Sequence, residues 1–537
     1  MALTLPIYYF GIPGGNDLPQ HFRFVYSFYD AVHNGEIYPA LPGDTNLGFG
    51  DLGIRFYPPL AYYAVVLFRS FTESWTAALA AAICFWFFVG GLGVFLLARE
   101  SFSEKASVAA AIVFMAMPYH ANQVYNAGLF AEFAGLAILP FCFLFVSRTI
   151  SKGKMTDVAG LAIAYALLIL THLPLAIIGS LGLMIYAVAL LGRRFVGASV
   201  LKLGSAVMIA LAASAFYWVR MVWELNFVNH TLPKFTDRTY DFRLNFLASI
   251  FYLPASEYGE TSLWFTDLLF AITLAMIVPA LLAFYISNKG NDKRRIVPFM
   301  VVLVVGIFLS TPLSILLWKN IGTLAKIQFP WRFLGLISLA GSVLIAACVD
   351  ELPTMFRTKL RPVGLVAVGL IIAGFVFTAA QVIRPANYSS RIEFDKNFER
   401  YKTDESYESW WPVWANRAAF ADREQVSSKQ RSVSIVKWNS DDREFVVGDG
   451  VEQEMRVATF YYPFWNATTD GENAEVTRAE DGTMLITVPP RRSTVRLFFA
   501  PPAYEFFGRY LSLFTWGFLI VCLVVGLVSR FRQRELG

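Results

Sequence analysis

Apolar runs long enough for membrane-spanning helices follow one another along most of the chain, separated by short polar connections. A transmembrane helix needs about 20 mostly apolar residues. With the apolar start, Met1 to Ile12, the pattern predicts about twelve spans, several of them short. The further runs lie near residues 76–98, 106–118, 129–147, 157–175, 176–192, 203–222, 263–286, 297–318, 331–349, 363–383 and 510–529. The start itself is shorter than a bilayer requires, which we interpret as a misplaced gene start rather than the outer half of a first helix.

Every second connection is rich in lysine and arginine, and this sets the predicted orientation. Cytoplasmic loops of membrane proteins carry an excess of these residues. The basic connections are residues 99–105, 148–154, 193–202, 289–295 and 357–361 and the tail 530–534. The intervening loops are therefore predicted to be extracytoplasmic. All five histidines lie in or next to those outer loops, which favours the extracytoplasmic face as the site of function. They are His21, His33, His120, His172 and His230.

The first outer loop, residues 14–75, is the longest polar segment in the first half of the chain. Apolar residues at helical spacing predict an amphipathic helix over 18–34, and a second helix over 57–70 begins at the Pro58-Pro59 pair. Each of these helices either lies on the membrane surface or packs against neighbouring helices.

From residue 385 the chain becomes polar, and apolar residues alternate with polar ones over 432–436, 455–460 and 484–488. Alternation is typical of β-strands, and Asp-Gly pairs between them indicate turns. The predicted fold class is an all-α polytopic membrane domain of about twelve transmembrane helices, residues 1–384, with an extracytoplasmic β-sandwich-like domain over 385–508. Residues 509–537 are predicted to form a last transmembrane helix and a basic cytoplasmic tail.

Composition narrows the class of protein. Hydrophobic residues make up 56% of the chain and the mean hydropathy is +0.50, values typical of polytopic membrane proteins. The net charge of +5 is explained by the basic loops and needs no nucleic-acid partner. The four cysteines lie in apolar runs without metal-type spacing. No Walker A or GxGxxG motif supports ATP or dinucleotide chemistry.

Two carboxylates are candidates for chemistry. Asp17 follows Gly14-Gly15, where a helix leaving a membrane would end. A carboxylate there lies between water and a low-dielectric region and is a candidate acid or base, although ordinary turn chemistry accounts for the same residue. Glu132 lies in an apolar run close to membrane depth. It is either functional or a buried residue that is paired with Arg or His or held neutral.

Two basic residues are candidates for binding. Arg332, in the motif Gln328-Phe329-Pro330-Trp331-Arg332, is either a phosphate ligand or an interfacial arginine reaching for lipid headgroups. His172 alone is as typical of a hydrogen-bonded helix end as of a catalyst.

Several short motifs together resemble bacterial membrane proteins named after a 6-pyruvoyl-tetrahydropterin-synthase-related domain, which are similar to GT-C fold glycosyltransferases. The motifs are FYPPL (56–60), PYH (118–120), AEF (131–133), THLPLA (171–176), QFPWRFL (328–334) and YYPFWNATTDG (461–471). GT-C enzymes take sugars from polyprenyl-phosphate carriers. Nothing in the sequence resembles the soluble synthase or its zinc-binding histidines.

The resemblance implies a glycosyltransferase of the bacterial inner membrane. It would move a sugar from a polyprenyl-phosphate-linked donor to a glycan, lipid or protein acceptor. The resemblance also implies that Asp17 acts as general base and that the attack inverts the configuration at the sugar C1. Glu132 and His120 would assist as catalytic residues. The substrate-binding candidates are His21, Arg55, Tyr57, His172, Arg220, Lys326, Gln328, Trp331 and Arg332, with Arg332 on the phosphate.

Two departures and two alternatives accompany this interpretation. The first span is too short, and the first loop has no DxD or ExD pair, so no cofactor is certain, although a divalent metal is possible. A transporter or flippase for lipid-linked saccharides would share the spans and a cationic phosphate site, but no two-half repeat is visible. A non-catalytic assembly factor for envelope glycans, with the β-domain as its binding module, is the other alternative.

Overall fold

The computed structural model describes residues 2–36, 38–39, 41, 45–192, 197–231, 241–254, 263–288, 294–383 and 388–535. Parts of two predicted basic connections, residues 193–196 and 289–293, lie outside the described residues. In the described part the α-helices are α1 Leu5–Phe10, α2 Leu18–His33, α3 Gly53–Phe56, α4 Leu60–Arg69, α5 Trp75–Arg99, α6 Glu104–Met115, α7 Pro118–Tyr125, α8 Phe130–Ser151, α9 Met155–Ile169, α10 Leu173–Leu191, α11 Gly197–Ala213, α12 Ala215–Glu224, α13 Leu263–Ser287, α14 Val297–Ser310, α15 Ile315–Asn320, α16 Gly322–Ala325, α17 Leu334–Phe356, α18 Arg361–Ile383, α19 Arg391–Asn397, α20 Arg400–Thr403 and α21 Ala503–Glu535.

Seven of the described helices are long and apolar enough to cross a membrane, and two bent helix pairs raise this number to nine if each pair is one span. The predicted number of about twelve spans is therefore not confirmed. The run near 106–118 forms only the 12-residue α6. The run near 157–175 is interrupted after the 15-residue α9, and His172 caps the next helix, α10. The runs near 203–222 and 297–318 are bent by 72° and 84°.

The most enclosed spans are α8 and the segment Pro330–Phe356, which contains α17. In their apolar windows 83% and 89% of the residues are buried. Helices that are apolar on all sides are typical of the centre of a bundle. Glu132 lies in the first turn of α8, and Arg332 lies in the 3₁₀ turn that leads into α17. The two central helices therefore each begin with a charged residue.

The two helices predicted in the first loop are both present. α2 begins at Leu18, directly after Asp17, and α4 begins at Leu60, directly after the Pro58-Pro59 pair. α2 packs against neighbouring elements, because Phe22 contacts the rings of Phe394 and Phe398.

The C-terminal strands form two antiparallel sheets that share one apolar core, here called the sandwich. In the described part the strands are β1 Ile12–Pro13, β2 Tyr388–Ser389, β3 Val426–Ser427, β4 Val433–Trp438, β5 Asp442–Val447, β6 Gln453–Phe460, β7 Trp465–Thr469, β8 Glu472–Ala474, β9 Val476–Arg478, β10 Thr483–Val488 and β11 Ser493–Phe499. β1 and β2 pair with each other in a separate two-stranded sheet, and the sandwich consists of β3 to β11. One sheet has the order β3-β6-β10-β9 and the other β4-β5-β11-β7-β8. Side chains of both sheets, including Phe445, Met455 and Leu497, fill the core between them. The turn at Asp470-Gly471 has positive φ at both residues, as a tight hairpin requires.

Candidate active site

Asp17 lies at the start of α2, where two glycines bring the chain against the loop before α8. A Cβ on Gly15 would lie 2.8 Å from the Cα of Gly128, so only glycine permits this approach. Asp17 is exposed. Surrounding protein nevertheless raises the pKa of its carboxyl by desolvation, and the nearby charge of Arg332 lowers it in part. Asp17 is therefore a water-accessible carboxylate within electrostatic range of an arginine.

Glu132 and Arg332 form a buried ion pair between the two central helices. Nε of Arg332 lies 3.1 Å from Oε2 of Glu132. The other carboxylate oxygen accepts hydrogen bonds from the hydroxyl of Tyr119 at 2.6 Å and from Nε2 of Gln123 at 3.1 Å. Nη1 of Arg332 donates to the carbonyl of Ile327 at 2.8 Å. Of the alternatives for Glu132, the geometry matches a paired, hydrogen-bonded carboxylate that holds an arginine in place.

Several helix N-termini meet at this point. α2 begins beside Asp17, α8 beside Glu132, and α10 beside His172. The backbone N–H of Leu60 donates to the carbonyl of Leu170 at 2.9 Å, which brings the start of α4 close to the start of α10. Helix N-termini carry partial positive charge, so their convergence favours an anionic ligand.

Two histidines line the same region, here called the Asp17 recess and defined by Asp17, His21, Tyr57, Glu132 and Arg332. Nδ1 of His21 lies 2.7 Å from the hydroxyl of Tyr62, and burial lowers the pKa of His21 to about 3. The imidazole of His21 is thus neutral at physiological pH.

His172 caps α10, because its Nδ1 accepts the backbone N–H of Leu175 at 3.2 Å. Burial, and then the charges of Arg332 and His21, hold the pKa of His172 well below its usual range. His172 therefore acts as a neutral helix cap at the edge of the recess.

Aromatic side chains from the segment before the sandwich contact residues at the edge of the recess. The Trp410 ring lies 6.0 Å from that of Tyr57 and stacks on His230 at 4.7 Å. The hydroxyl of Tyr407 donates to the carbonyl of Asn16, next to Asp17, at 3.4 Å. These contacts hold residues 407–410 against the recess beside the exposed Asp17.

Of the motif residues around Arg332, only Arg332 itself belongs to the recess. Trp331 stacks on Phe329 at 5.0 Å, and the Arg332 guanidinium lies 4.8 Å from the Phe329 ring. Gln328 has a φ of 67°, an unfavourable conformation for a residue with a side chain, which sharpens the turn before Arg332. Lys326 is exposed.

His120 lies apart from Glu132, although its neighbour Tyr119 binds that residue. The His120 ring packs edge-on against Phe114 at 4.4 Å, and burial lowers its pKa to about 3. Adjacent residues of a helix point in different directions. Within the described residues no hydrogen bond joins His120 to the recess.

Arg55 and Arg220 belong to a separate group, the Arg55 cluster, formed by Arg55, Arg220, Glu224, Tyr462 and Glu505. Arg55 donates to both oxygens of Glu224, at 3.0 and 2.8 Å, and to Glu505 at 3.0 Å. Burial alone would lower the pKa of Arg55, but the charges of Glu224, Tyr462 and Glu505 raise it overall. Nη1 of Arg220 lies 3.8 Å from Glu505. Arg55 and Arg220, both candidates for substrate binding, thus contact acidic residues outside those that define the Asp17 recess.

Sequence reasoning missed several of these partners. Gln123 follows Tyr119 by one helical turn, so the two residues lie on one polar face of α7. That spacing could have indicated that both contact the same partner. Glu505 and Tyr462 reach Arg55 over more than 400 residues of sequence, and no local pattern indicates such a contact.

Within the described residues no group of three or more His, Cys, Asp or Glu side chains is arranged to hold a metal ion.

Comparison with known proteins gives a family match and several distant structural neighbours. The chain is similar to the arabinofuranosyltransferase AftD from Mycobacteria, with 15% identity over 72% of this chain and 26% of that one and a TM-score of 0.45. It is similar to the oligosaccharyltransferase AglB from Archaeoglobus fulgidus, with 16% identity over 75% of this chain and 57% of that one and a TM-score of 0.37.

A third neighbour is ArnT from Cupriavidus metallidurans bound to undecaprenyl phosphate, with 12% identity over 90% of this chain and 96% of that one and a TM-score of 0.29. The chain thus spans about a quarter of AftD and 57% of AglB. No curated protein matches the sequence.

The family model covers residues 54–382, which include Glu132, His172 and Arg332 but not Asp17, and its description is that of a membrane protein. The chain belongs to the family of the 6-pyruvoyl-tetrahydropterin synthase related domain.

Proposed function

We propose that this protein is a membrane glycosyltransferase that takes a sugar from a polyprenyl-phosphate carrier and transfers it to an acceptor hydroxyl at the Asp17 recess. The observation that carries the proposal is the proximity of an exposed carboxylate, Asp17, to a buried arginine, Arg332, whose charge lowers the pKa of Asp17 and which is itself paired with Glu132. The carboxylate of Asp17 is suited to accept a proton, and the guanidinium of Arg332 is suited to bind a phosphate.

Arg332 is the proposed ligand of the donor phosphate. Glu132 and the carbonyl of Ile327 fix its guanidinium, and its Nη2 has no hydrogen bond with any described residue. An arginine presents a planar set of donors to phosphate oxygens, and the nearby helix N-termini add favourable partial charge. The site would therefore stabilise the negative charge that collects on the departing polyprenyl phosphate.

Asp17 is the proposed general base. The acceptor hydroxyl oxygen forms a bond to the sugar C1 while the bond from C1 to the phosphate oxygen breaks, and the hydroxyl proton passes to Asp17. The electron pair of the broken bond leaves with the polyprenyl phosphate. The raised pKa of Asp17 makes it a stronger base than an ordinary aspartate, which supports this role. Attack from the face opposite the phosphate would invert C1.

The acceptor would approach from the side of the sandwich. Tyr407 and Trp410 contact Asn16 and Tyr57 there, so the sugar and acceptor would meet beside residues that precede the sandwich. We place this face outside the inner membrane, in accord with the basic loops on the opposite side.

The phosphate assignment is tested with Arg332→Lys in the purified protein. Lysine keeps the charge but loses the planar fork, so we expect weaker binding of a polyprenyl-phosphate sugar, by about tenfold or more. Arg357→Lys, an exposed arginine of the basic side, is the matched control. Donor affinity that is unchanged in both Arg332→Lys and Arg332→Ala contradicts the assignment.

Turnover in detergent separates this function from the alternatives. A transferase releases free polyprenyl phosphate when donor and acceptor are both present. A flippase or a non-catalytic assembly factor binds the donor without releasing it, because neither breaks the bond at C1.

A further inference from the structure

A groove with a volume of about 750 Å³ runs between α4, α5, α8, α9 and α21, from Leu60 at the start of α4 to Arg148 at the far end of α8. Its walls are apolar over most of their length and include Phe141, Phe145 and Ala164. A volume of this size lies within the range of small-molecule sites, about 300–1,000 Å³. The groove is thus large enough for a ligand and suits one with an apolar chain.

One end of the groove is polar. Arg148 and Asp157 both line it, near the turn that joins α8 to α9. Arg148 lies 16 positions after Glu132 on α8, so this end is about 24 Å from the recess along the helix axis. Basic residues gather here, and the predicted orientation puts this end among lipid headgroups on the cytoplasmic side.

One oxygen of the Asp157 carboxylate accepts no hydrogen bond from the described residues. Asp157 is only 4% exposed, and its Oδ2 is buried with no hydrogen-bond partner in the described part of the chain. A buried carboxylate oxygen without a donor costs free energy, so the residue favours a ligand that supplies an N–H group.

Two cations near Asp157, those of Arg148 and Lys152, share a single carboxylate. Nη2 of Arg148 lies 2.7 Å from Glu100, and Nζ of Lys152 lies 3.0 Å from the same carboxylate. One glutamate balances only one of these two cations. The polar end therefore has one positive charge left for a phosphate and one carboxylate, Asp157, for a cation.

We propose that this groove binds a phospholipid with a cationic amino headgroup, its acyl chain along the apolar walls, its ammonium group donating to Asp157 and its phosphate at Arg148 and Lys152. The site is independent of the proposed transfer reaction. The polyprenyl chain of a donor is the competing occupant. A donor held by its phosphate at Arg332 would bring only hydrocarbon to Asp157 and leave that carboxylate without a donor.

The test is native mass spectrometry of the purified full chain, titrated with phosphatidylethanolamine and phosphatidylglycerol of identical acyl chains. We expect phosphatidylethanolamine to bind about tenfold more tightly, as a charge-assisted hydrogen bond predicts. Asp157→Asn should remove most of that preference. Ala164→Leu should weaken both lipids by filling the groove, and Ala198→Leu, at an exposed helical position, should change neither.

Equal binding of the two lipids by the unaltered protein would overturn the inference, as would an unchanged preference in Asp157→Asn. Displacement of phosphatidylethanolamine by polyprenyl phosphate, with no effect of Asp157→Asn, would assign the groove to the donor chain instead. Melting temperature and size-exclusion profile check the folding of each variant, and Asp157→Asn decides if Ala164→Leu does not fold. Asp17→Asn should leave lipid binding intact, so failure of the proposed function and failure of this site are distinguishable.

Discussion

At the scale of single residues, two carboxylates in one recess have different environments and therefore different tasks. Glu132 is buried, accepts two hydrogen bonds and faces Arg332. Asp17 is exposed, and Arg332 only partly offsets the desolvation that raises its pKa. Carboxylates whose environments differ in this way commonly divide structural and proton-transfer roles. We assign the structural role to Glu132 and the proton to Asp17.

The pH dependence of kcat/KM follows from the environment of Asp17. A base must be deprotonated, so activity should be lost as pH falls through the pKa of Asp17, and the acid limb should lie above the usual aspartate value of about 3.9. Arg332 lowers that pKa, so Arg332→Gln should move the limb to higher pH. A limb at or below the ordinary value, or one that Arg332→Gln does not move, contradicts the assignment.

At the scale of elements, the Arg55 cluster connects four separate parts of the chain. Arg55 lies in α3, Glu224 at the end of α12, Glu505 in α21, and Tyr462 in the turn between β6 and β7. Tyr462 donates its hydroxyl to Glu224 at 2.6 Å. The cluster thus joins the sandwich to the helices by buried charges rather than by an apolar interface alone.

Removing the central cation should destabilise this junction strongly. Arg55→Gln leaves Glu224 and Glu505 buried without their main counter-charge, and breaking a buried pair typically costs about 3–5 kcal/mol. Arg417→Gln breaks the exposed pair with Glu405 and should cost less than about 1 kcal/mol. The measurement is the free energy of unfolding of both variants in detergent. A similar small loss in both would show that the cluster contributes little.

The sequence predicted elements better than contacts. Helical and alternating patterns identified α2, α4 and the strands β4, β6 and β10, because these patterns report which face of a segment is buried. Span counting was less successful, since apolar runs do not show where a helix bends or ends, as at His172. The sequence motifs were enough to single out Asp17, Glu132 and Arg332 as candidate site residues. Their partners Tyr62, Gln123 and Trp410 come from tertiary packing, which one sequence does not encode locally.

At the scale of the whole molecule, the basic connections and the sandwich are predicted to lie on opposite sides of the membrane. Cysteine labelling in intact cells checks this. Ser434→Cys, at an exposed position of β4, should react with an impermeant reagent, and Glu104→Cys, at the start of α6, should react only after permeabilisation. The parent protein is the control for its own four cysteines. The reverse pattern of labelling would invert the orientation.

The most direct measurement of the central claim is turnover and donor affinity on one purified preparation of Asp17→Asn. The amide keeps the shape of the carboxyl but is not a base, so turnover should fall by about 10²- to 10⁴-fold. Affinity for the polyprenyl-phosphate sugar should not change, because Arg332 and the helix N-termini remain. The melting temperature should not fall, because the raised pKa of Asp17 means that its charge is disfavoured in the folded protein. Joint loss of turnover and donor affinity would make Asp17 a structural residue, and full retention of turnover would exclude it as the base.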